Sequence, residues 1–311
     1  MPTSVRLVLV VLCAAWAGGC SNGDDDACDG ADCSEAGDGD GDGDGVDGGA
    51  VGCPLDRSCD IGFVTTEQLD ANAAWTALDV RDGTAFESGH IPGAGHLPQA
   101  ALRATRDGVD GQVVDVDGAM AAFSAAGIEP DDDVVLYDDG NGTAPARVAW
   151  TLQYYGHTGE IALLDGGLSA WIDAGFDVST QPAPPATDYA IPGVVDPLRV
   201  DQAWVLSHLD DQNVVLIDAR SPDEYAAGHI PGALGIDWQT NLDGAGLFLD
   251  DASLQGLYPP GDSQTTYVTY CQTGSRAAVN YAVLRYLARI DVRIYDGSWA
   301  EWGADPDTPK E

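Results

Sequence analysis

An internal repeat constrains this chain more than any other feature of its sequence. Residues 78–94 align with residues 217–233, and a constant offset of 139 residues separates Asp79 from Asp218. Each copy passes from Asp-x-Arg through Gly-His-Ile-Pro-Gly-Ala and closes on Asp-Gly-x-x-x-x-Trp. Because 311 residues give room for two domains of ordinary size, we expect one domain over 61–180 and a second over 199–305. The Pro-rich, aperiodic stretch 181–198 is the expected linker.

Both copies alternate β-prone runs with helical periodicity. In the second copy, residues 267–270 predict a buried strand, and residues 277–288 carry apolar side chains at helical spacing. Residues 134–137 are the corresponding run of the first copy. This alternation favours an α/β fold in which each domain is a parallel β-sheet flanked by helices on both faces.

A cysteine stands between the strand and the helix of the second copy. Cys271 opens the loop Cys-Gln-Thr-Gly-Ser-Arg. A loop that leads into a helix N-terminus directs backbone N–H groups and the positive end of the helix dipole at one spot, which favours an anion. We therefore expect Cys271 to be a reactive thiolate nucleophile rather than a packed, inert thiol.

Three stretches together resemble the signatures of the rhodaneses, the sulfurtransferases that carry sulfur as a cysteine persulfide. They are the cysteine loop, residues 216–233 and residues 294–302, and the resemblance covers about 61 to 305. It implies that the loop residues after the cysteine bind the persulfide and the substrate: Gln272, Thr273, Gly274, Ser275 and Arg276.

Arg276 has two roles that the sequence leaves open. Its guanidinium either attracts a sulfur-bearing anion or braces the loop. The cell-cycle phosphatases that share the rhodanese fold carry Cys-x5-Arg, whereas the spacing from Cys271 to Arg276 is Cys-x4-Arg. The tighter ring suits a single sulfur atom, so phosphatase activity is not expected.

The first copy differs at the decisive position, because Asp138 aligns with Cys271. The first domain therefore cannot form a persulfide, which resembles the tandem-rhodanese pattern of an inactive N-terminal domain supporting an active C-terminal one. The resemblance implies that Arg147 reaches across to the substrate. Where the family often has another arginine on the same helix, this chain has Gln153, which lowers the positive charge expected at the cleft.

The resemblance also implies the reaction. The Cys271 thiolate takes the outer sulfur of a donor and passes it to a thiophilic acceptor such as cyanide. The Cys-Gln-Thr sequence favours thiosulfate as the donor. The alternative donor is 3-mercaptopyruvate, for which Asp79, His90 and Thr273 would supply an acid–base triad. A non-catalytic binding or sensing module of the cell envelope is the second alternative.

Other polar residues of the repeat are expected to serve the fold. Asp218, Arg220 and Glu224 are expected to tie a strand end to the next helix through an ion pair. His229 is expected to be a satisfied turn histidine.

The N-terminal sequence predicts export and anchoring. An apolar run, residues 7–17, follows Arg6 and is too short to span a membrane as a mature helix. Residues 1–20 resemble a bacterial lipoprotein signal with lipidation at Cys20, and a plain signal peptide is the alternative. Residues 21–60, rich in Asp and Gly, predict a disordered acidic tether with cysteine pairs. The expected location is the bacterial cell envelope, lipid-anchored, with the domains in the periplasm or at the cell surface.

Four further cysteines cluster in the tether. An oxidising compartment favours two disulfides, and the local pairing is Cys28–Cys33 with Cys53–Cys59. Other connectivities stay open. A zinc site built from the same four is the alternative, although their spacings differ from C-x-x-C.

The charge of the chain bounds its partners. Its 51 acidic residues outnumber its 13 basic ones, which gives a formal net charge of −38. Nucleic acid is therefore excluded as a partner, since phosphate binding needs clustered Lys and Arg. We expect a monomer that needs no metal and no organic cofactor. Its partners are a small anionic sulfur donor and a thiophilic acceptor, and it meets a membrane only through its N-terminal lipid.

Overall fold

The computed structural model describes residues 61–311. The predicted signal and tether, the lipidation at Cys20 and the disulfides Cys28–Cys33 and Cys53–Cys59 all lie outside the described residues. Within the described part, none of the helices has both the length and the apolar character needed to cross a bilayer.

The first domain, as described, combines a parallel sheet with a separate hairpin. Its strands are β1 (Gly62–Val64), β2 (Thr76–Asp79), β3 (Gly95–His96), β4 (Arg103–Arg106), β5 (Val109–Val113), β6 (Val134–Tyr137) and β7 (Ile161–Leu164). Its helices are α1 (Thr66–Ala71), α2 (Gly83–Ser88), α3 (Val116–Ala126), α4 (Thr143–Tyr154) and α5 (Gly167–Asp173), with a 3₁₀ turn at Gln99–Leu102. Five parallel strands follow the order β1-β7-β6-β2-β3, and β4 pairs with β5 in an antiparallel hairpin.

The second domain repeats this sheet. Its strands are β8 (Arg199–Val200), β9 (Val214–Asp218), β10 (Leu234–Gly235), β11 (Thr266–Tyr270) and β12 (Asp291–Tyr295). Its helices are α6 (Gln202–Ser207), α7 (Pro222–Ala226), α8 (Asp251–Leu257), α9 (Ser275–Tyr286) and α10 (Ser298–Trp302), with 3₁₀ turns at Asp196–Leu198 and Trp238–Asn241. The parallel strands follow the order β8-β12-β11-β9-β10, which matches the first sheet strand for strand.

The strands alternate their side chains between two cores. On β6, Val134 and Leu136 belong to one core, whereas Val135 and Tyr137 belong to the core on the opposite face. Successive strand residues point to opposite faces, so an apolar run of this kind needs cover on both sides. The predicted α/β fold, with parallel sheets flanked by helices, is confirmed.

The two domains share one of these cores along a seam between α4 and α9. The two helices pack against each other, and both are buried almost all round, over residues 145–152 and 277–284. A helix that is buried on every side must lie between its own sheet and another layer. Within the seam, the Tyr281 hydroxyl donates to Gln153 Oε1 at 2.7 Å. Gln153 therefore takes part in the seam between the helices.

Two boundaries differ from the expected ones. Helix α9 begins at Ser275 rather than at residue 277, because Gly274 turns the chain straight into the helix. Residues beyond the expected domain end at 305 also pack on the second domain. The Trp302 indole donates to the Pro309 carbonyl at 2.8 Å, and the backbones of His229 and Glu311 exchange hydrogen bonds of 2.9 and 3.0 Å. These contacts satisfy polar groups that would otherwise lack partners.

Candidate active site

Cys271 follows β11 directly and lies in the turn that leads into α9. Its side chain is fully buried, and its Sγ accepts a hydrogen bond from the Gly274 N–H at 3.1 Å. Gly274 caps α9 in the left-handed conformation, with φ 86° and ψ −17°, which glycine adopts without steric cost. The sulfur thus meets a backbone N–H at a helix N-terminus, as the sequence predicts for a site that favours an anion.

The start of α10 is hydrogen-bonded to the backbone of the cysteine loop. The Cys271 N–H donates to Ser298 Oγ at 3.3 Å, and the Ser298 hydroxyl donates to the Tyr295 carbonyl at 2.9 Å. The carbonyls of Cys271 and Gln272 accept from the N–H groups of Trp299 and Ala300 at 2.9 and 3.0 Å. These bonds hold the backbone of Cys271 and Gln272 against the start of α10.

Arg276 lies in the first turn of α9 and forms a two-pronged ion pair. Its Nη1 and Nη2 donate to the Glu224 carboxylate at 2.6 and 2.8 Å. These bonds raise the pKa of Arg276 and lower the pKa of Glu224 from 4.5 to about 2. Arg276 therefore braces the loop through Glu224. It also interacts with Cys271, whose charge and hydrogen bond add to the rise in the pKa of Arg276.

The predicted ion pair of Asp218, Arg220 and Glu224 is confirmed for Asp218 and Arg220 but is wrong for Glu224. Arg220 pairs with Asp218, with Nη2 at 2.6 Å from Oδ2, and also donates to the Gly228 carbonyl. Glu224 pairs with Arg276 instead, because α7 places it beside the start of α9 rather than against the end of β9.

The first domain contributes two side chains to the loop that sequence reasoning missed. Arg103, on β4, donates from Nη2 to the carbonyl and to the hydroxyl of Thr273, both at 3.1 Å. Gln99 donates from Nε2 to Ser275 Oγ at 3.1 Å. The scarcity of basic residues was the available signal, because each arginine of so acidic a chain is a candidate for a specific role.

Arg147 reaches the cysteine loop from α4, but its charge is already matched. Its Nη2 lies 2.6 Å from Asp296 Oδ1, and both side chains are fully buried. Asp296 also accepts from Arg199 Nε at 3.1 Å and from the Val113 N–H at 2.8 Å. Burial alone would raise the pKa of Asp296, but the charges of Arg147 and Arg199 and the Val113 hydrogen bond hold it lowered.

Two nitrogens of Arg147 have no protein acceptor among the described residues. They are the buried Nε and Nη1. A Cβ built on Gly274 would lie 2.6 Å from Nη1, so the guanidinium touches the turn beside the sulfur. The resemblance implies that Arg147 reaches across to the substrate; its guanidinium lies beside the loop of the second domain, and the contact with substrate stays a prediction.

The charges beside the loop are mainly positive. Arg147 and Arg199 both pair with the carboxylate of Asp296, and Arg103 donates to Thr273 of the loop. We call these three side chains the arginine cluster. Burial and the neighbouring Arg147 lower the pKa of Arg103, and a negative charge on Cys271 acts in the opposite direction. The cluster favours an anion although the whole chain has a net charge of −38.

The equivalent loop of the first domain holds a carboxylate. Asp138 accepts from the N–H groups of Gly140 at 2.7 Å and Gly142 at 3.1 Å. Its carbonyl accepts from the Leu168 N–H, just as that of Cys271 accepts from Trp299. The side chain is buried, which raises the pKa of Asp138 against the effect of those N–H bonds. Its own oxygens therefore fill the position that an anion would occupy.

The contacts of Asp79, His90 and Thr273 do not assemble a triad. Asp79 is bonded to Arg81, with Oδ2 at 2.6 Å from Nη2. His90 Nδ1 lies 2.8 Å from the Phe86 carbonyl, and the two rings stack with centroids 3.8 Å apart. The hydroxyl of Thr273 accepts a hydrogen bond from Arg103 instead. Asp79 and His90 thus have structural contacts within their own domain.

A cavity of about 550 Å³ lies outside the cysteine loop. Its lining includes Phe63, His157 and Arg285 and none of the residues 271–276. Among residues 61–311, no group of three or more His, Cys, Asp or Glu side chains is arranged to hold a metal ion. The candidate active site is the Cys271 thiol together with the arginine cluster.

The family comparison matches both domains. The model of the rhodanese-like domain fits residues 65–174 and again residues 201–305. Among curated proteins, the thiosulfate sulfurtransferase of Corynebacterium glutamicum is 34% identical over 268 residues, covering 78% of this chain and 87% of that protein. The thiosulfate sulfurtransferase of Pseudomonas aeruginosa is 32% identical, covering 75% of this chain and 90% of that protein. The chain belongs to the rhodanese-like family, and it is a sulfurtransferase enzyme of the rhodanese type.

Two further likenesses extend the comparison. A sulfur carrier protein of Thermus thermophilus, TtuD, is 32% identical, covering 70% of this chain and 84% of that protein. Among solved structures, an anaerobic ergothioneine biosynthesis enzyme from Chlorobium limicola superimposes with a TM-score of 0.70 at 23% identity, covering 80% of this chain and 69% of that one. The structural likeness establishes the fold alone.

Proposed function

We propose that the protein moves sulfane sulfur from thiosulfate to a thiophilic acceptor through a persulfide on Cys271. One observation carries the proposal: the buried Cys271 Sγ accepts the Gly274 N–H at 3.1 Å in a loop that Arg103 and Arg147 contact from the first domain. Such a setting stabilises a thiolate before the reaction and a negatively charged persulfide after it.

The first half-reaction loads the enzyme. The Cys271 thiolate attacks the outer sulfur of thiosulfate, and a bond forms between the two sulfurs. The sulfur–sulfur bond of thiosulfate breaks at the same time, and its electron pair leaves with sulfite. The terminal sulfur of the persulfide carries the negative charge. The Gly274 N–H and the arginine cluster lie where they can stabilise that charge.

The second half-reaction restores the thiolate. A nucleophilic acceptor attacks the outer sulfur of the persulfide, and the electron pair of the breaking bond returns to Cys271. With cyanide as acceptor, the product is thiocyanate. The cycle balances without an added oxidant or reductant, because the sulfane sulfur moves unchanged from one nucleophile to the next.

Thiosulfate is favoured over 3-mercaptopyruvate as the donor for two reasons. The arginine cluster supplies more positive than negative charge, which suits a donor with two negative charges. The acid–base residues proposed for 3-mercaptopyruvate, Asp79 and His90, are bonded to Arg81 and Phe86 within the first domain.

The test is thiocyanate formation by the purified protein, with thiosulfate and 3-mercaptopyruvate compared at equal concentration. We expect turnover with thiosulfate that disappears in Cys271→Ala and persists in Asp138→Asn, the matched change in the loop of the other domain. Mass spectrometry after loading should find one added sulfur atom on the peptide that contains Cys271.

Two results would overturn the proposal. Faster turnover with 3-mercaptopyruvate would reassign the donor. The absence of Cys271-dependent thiocyanate from either donor would favour a binding or sensing module of the envelope, for which the next experiment is a search for a protein partner.

We also propose that the enzyme is lipid-anchored in the bacterial envelope. The support is sequence alone: the apolar run at residues 7–17 followed by Cys20. The full chain should incorporate labelled palmitate and partition into detergent in the wild type but not in Cys20→Ser. The absence of label from both chains would leave a plain signal peptide as the explanation, and equal labelling of both would show that the lipid is not on Cys20.

A further inference from the structure

Arg103 belongs to the domain that lacks the cysteine, yet it bonds directly to the cysteine loop. The β4–β5 hairpin carries it across the domain boundary, and its Nη2 meets both the carbonyl and the hydroxyl of Thr273 at 3.1 Å. Its Nε donates to the Gly111 carbonyl at 3.3 Å, so the guanidinium is held on both sides. A Cβ on Gly111 would overlap Nη2 and lie 3.0 Å from the Thr273 Cβ, which shows how closely the hairpin covers the loop.

The carbonyl that Arg103 binds and the N–H that the sulfur binds belong to the same peptide group. The Thr273 carbonyl and the Gly274 N–H share a trans peptide bond, and a trans peptide directs these two groups to opposite sides. An anchor on the carbonyl therefore aims the N–H. In this loop the N–H points at Cys271 Sγ, 3.1 Å away.

This peptide needs an anchor because of Gly274. Glycine enters positive and negative φ with similar ease, so the loop sequence alone does not choose between the two orientations of the 273–274 peptide. The opposite orientation would turn the Thr273 carbonyl oxygen towards the sulfur, where it would repel a thiolate or a persulfide. The two hydrogen bonds from Arg103 favour the orientation that places an N–H there.

We propose that Arg103 is a positioning residue of the sulfurtransferase, which locks the 273–274 peptide so that the Gly274 N–H faces the sulfur of Cys271. The inference rests on the proposed function and adds a role for the domain without a nucleophile. That domain supplies the side chain that sets the anion-binding geometry of the other domain's loop.

The experiment compares Arg103→Met with Arg103→Lys, and uses Arg106→Met on the same strand as a control for loss of a positive charge from the hairpin. Two properties are measured: thiocyanate formation from thiosulfate, and the pH dependence of alkylation of Cys271 by iodoacetamide. Iodoacetamide is neutral and needs no turnover, so its reaction reports the state of the thiol independently of donor binding.

We expect Arg103→Met to lower kcat for thiocyanate by about tenfold or more and to raise the pH midpoint of alkylation by about one pH unit. KM for thiosulfate should change less than kcat. Arg103→Lys keeps the charge but not the planar fork, so it should restore only part of both properties. Arg106→Met should match the wild type in both.

Three results would overturn the role of Arg103. The first is an unchanged alkylation profile in Arg103→Met. The second is a rise in KM for thiosulfate with kcat and the alkylation midpoint unchanged, which would make Arg103 a donor-binding residue. The third is full wild-type behaviour of Arg103→Lys, since a point charge would then suffice. If the wild type forms no thiocyanate, the proposed function fails, and the alkylation profile still decides the role of Arg103.

Discussion

Gly274→Ala tests the close packing of the cysteine loop against the first domain. Gly274 has φ 86°, and an alanine in the left-handed region costs about 1–2 kcal/mol. The new Cβ would also lie 2.6 Å from Arg147 Nη1, well inside van der Waals contact. The end of an arginine side chain can often move aside, but this one is fully buried, lies 2.6 Å from Asp296 and is stacked on Trp150 at 4.4 Å.

The expected loss follows from these two costs. Overpacking of a tight interior typically costs about 1–3 kcal/mol, so with the backbone strain we expect Gly274→Ala to lower the free energy of unfolding by about 2–5 kcal/mol. The displaced turn also moves the Gly274 N–H from the sulfur, and loss of one such donor lowers kcat by about 100-fold to 1,000-fold.

Gly93→Ala is the matched control. Gly93 has φ 81°, and a Cβ there would have no atom within 4 Å. In this variant only the backbone strain should act, so the free energy of unfolding should fall by about 1–2 kcal/mol. Its turnover should match the wild type. Urea denaturation and thiocyanate formation measure both effects. If Gly274→Ala loses no more stability than Gly93→Ala and still turns over as the wild type does, the argument from Arg147 is refuted.

Three further changes test the charges of the fold. Asp296→Asn leaves the buried Arg147 without its carboxylate, so we expect a loss of about 3–5 kcal/mol in urea denaturation, and an unchanged urea midpoint would contradict the ion pair. The pKa of Glu224 is lowered from 4.5 to about 2, so this carboxylate stabilises the fold above pH 4.5 and loses that effect as the pH falls towards 2. Because the Glu224 side chain is 36% exposed, its contribution to the free energy of unfolding is about 1 kcal/mol or less. In Glu224→Gln the melting temperature should depend less on pH over that range. Burial raises the pKa of Asp165 from 3.8 to about 6, so stability should fall as the pH rises across that interval, and Asp165→Asn should raise the melting temperature at neutral pH but not below pH 3.8.

Much of the architecture was predictable because it depends on local patterns. The repeat at an offset of 139 residues predicts two matching domains, and the two sheets do match strand for strand. The strand–loop–helix pattern around Cys271 predicts a sulfur at a helix N-terminus, and the Gly274 N–H meets it there. The helix boundary was wrong by two residues, because periodicity does not register the left-handed turn that lets a helix start directly after glycine.

The sequence by itself determined the repeat, the parallel sheets, the place of Cys271 at a helix N-terminus and the carboxylate at Asp138, because spacing and residue type within a short segment are sufficient for each. Only the tertiary structure decided which charged side chains meet. Arg103 and its partner Thr273 are 170 residues apart in sequence, and Glu224 and Arg276 are 52 apart. Periodicity fixes which face of a segment is buried, whereas these pairs depend on how one segment lies against another. For Arg103, α4 packs on α9 and the hairpin of one domain lies against Thr273 in the cysteine loop of the other.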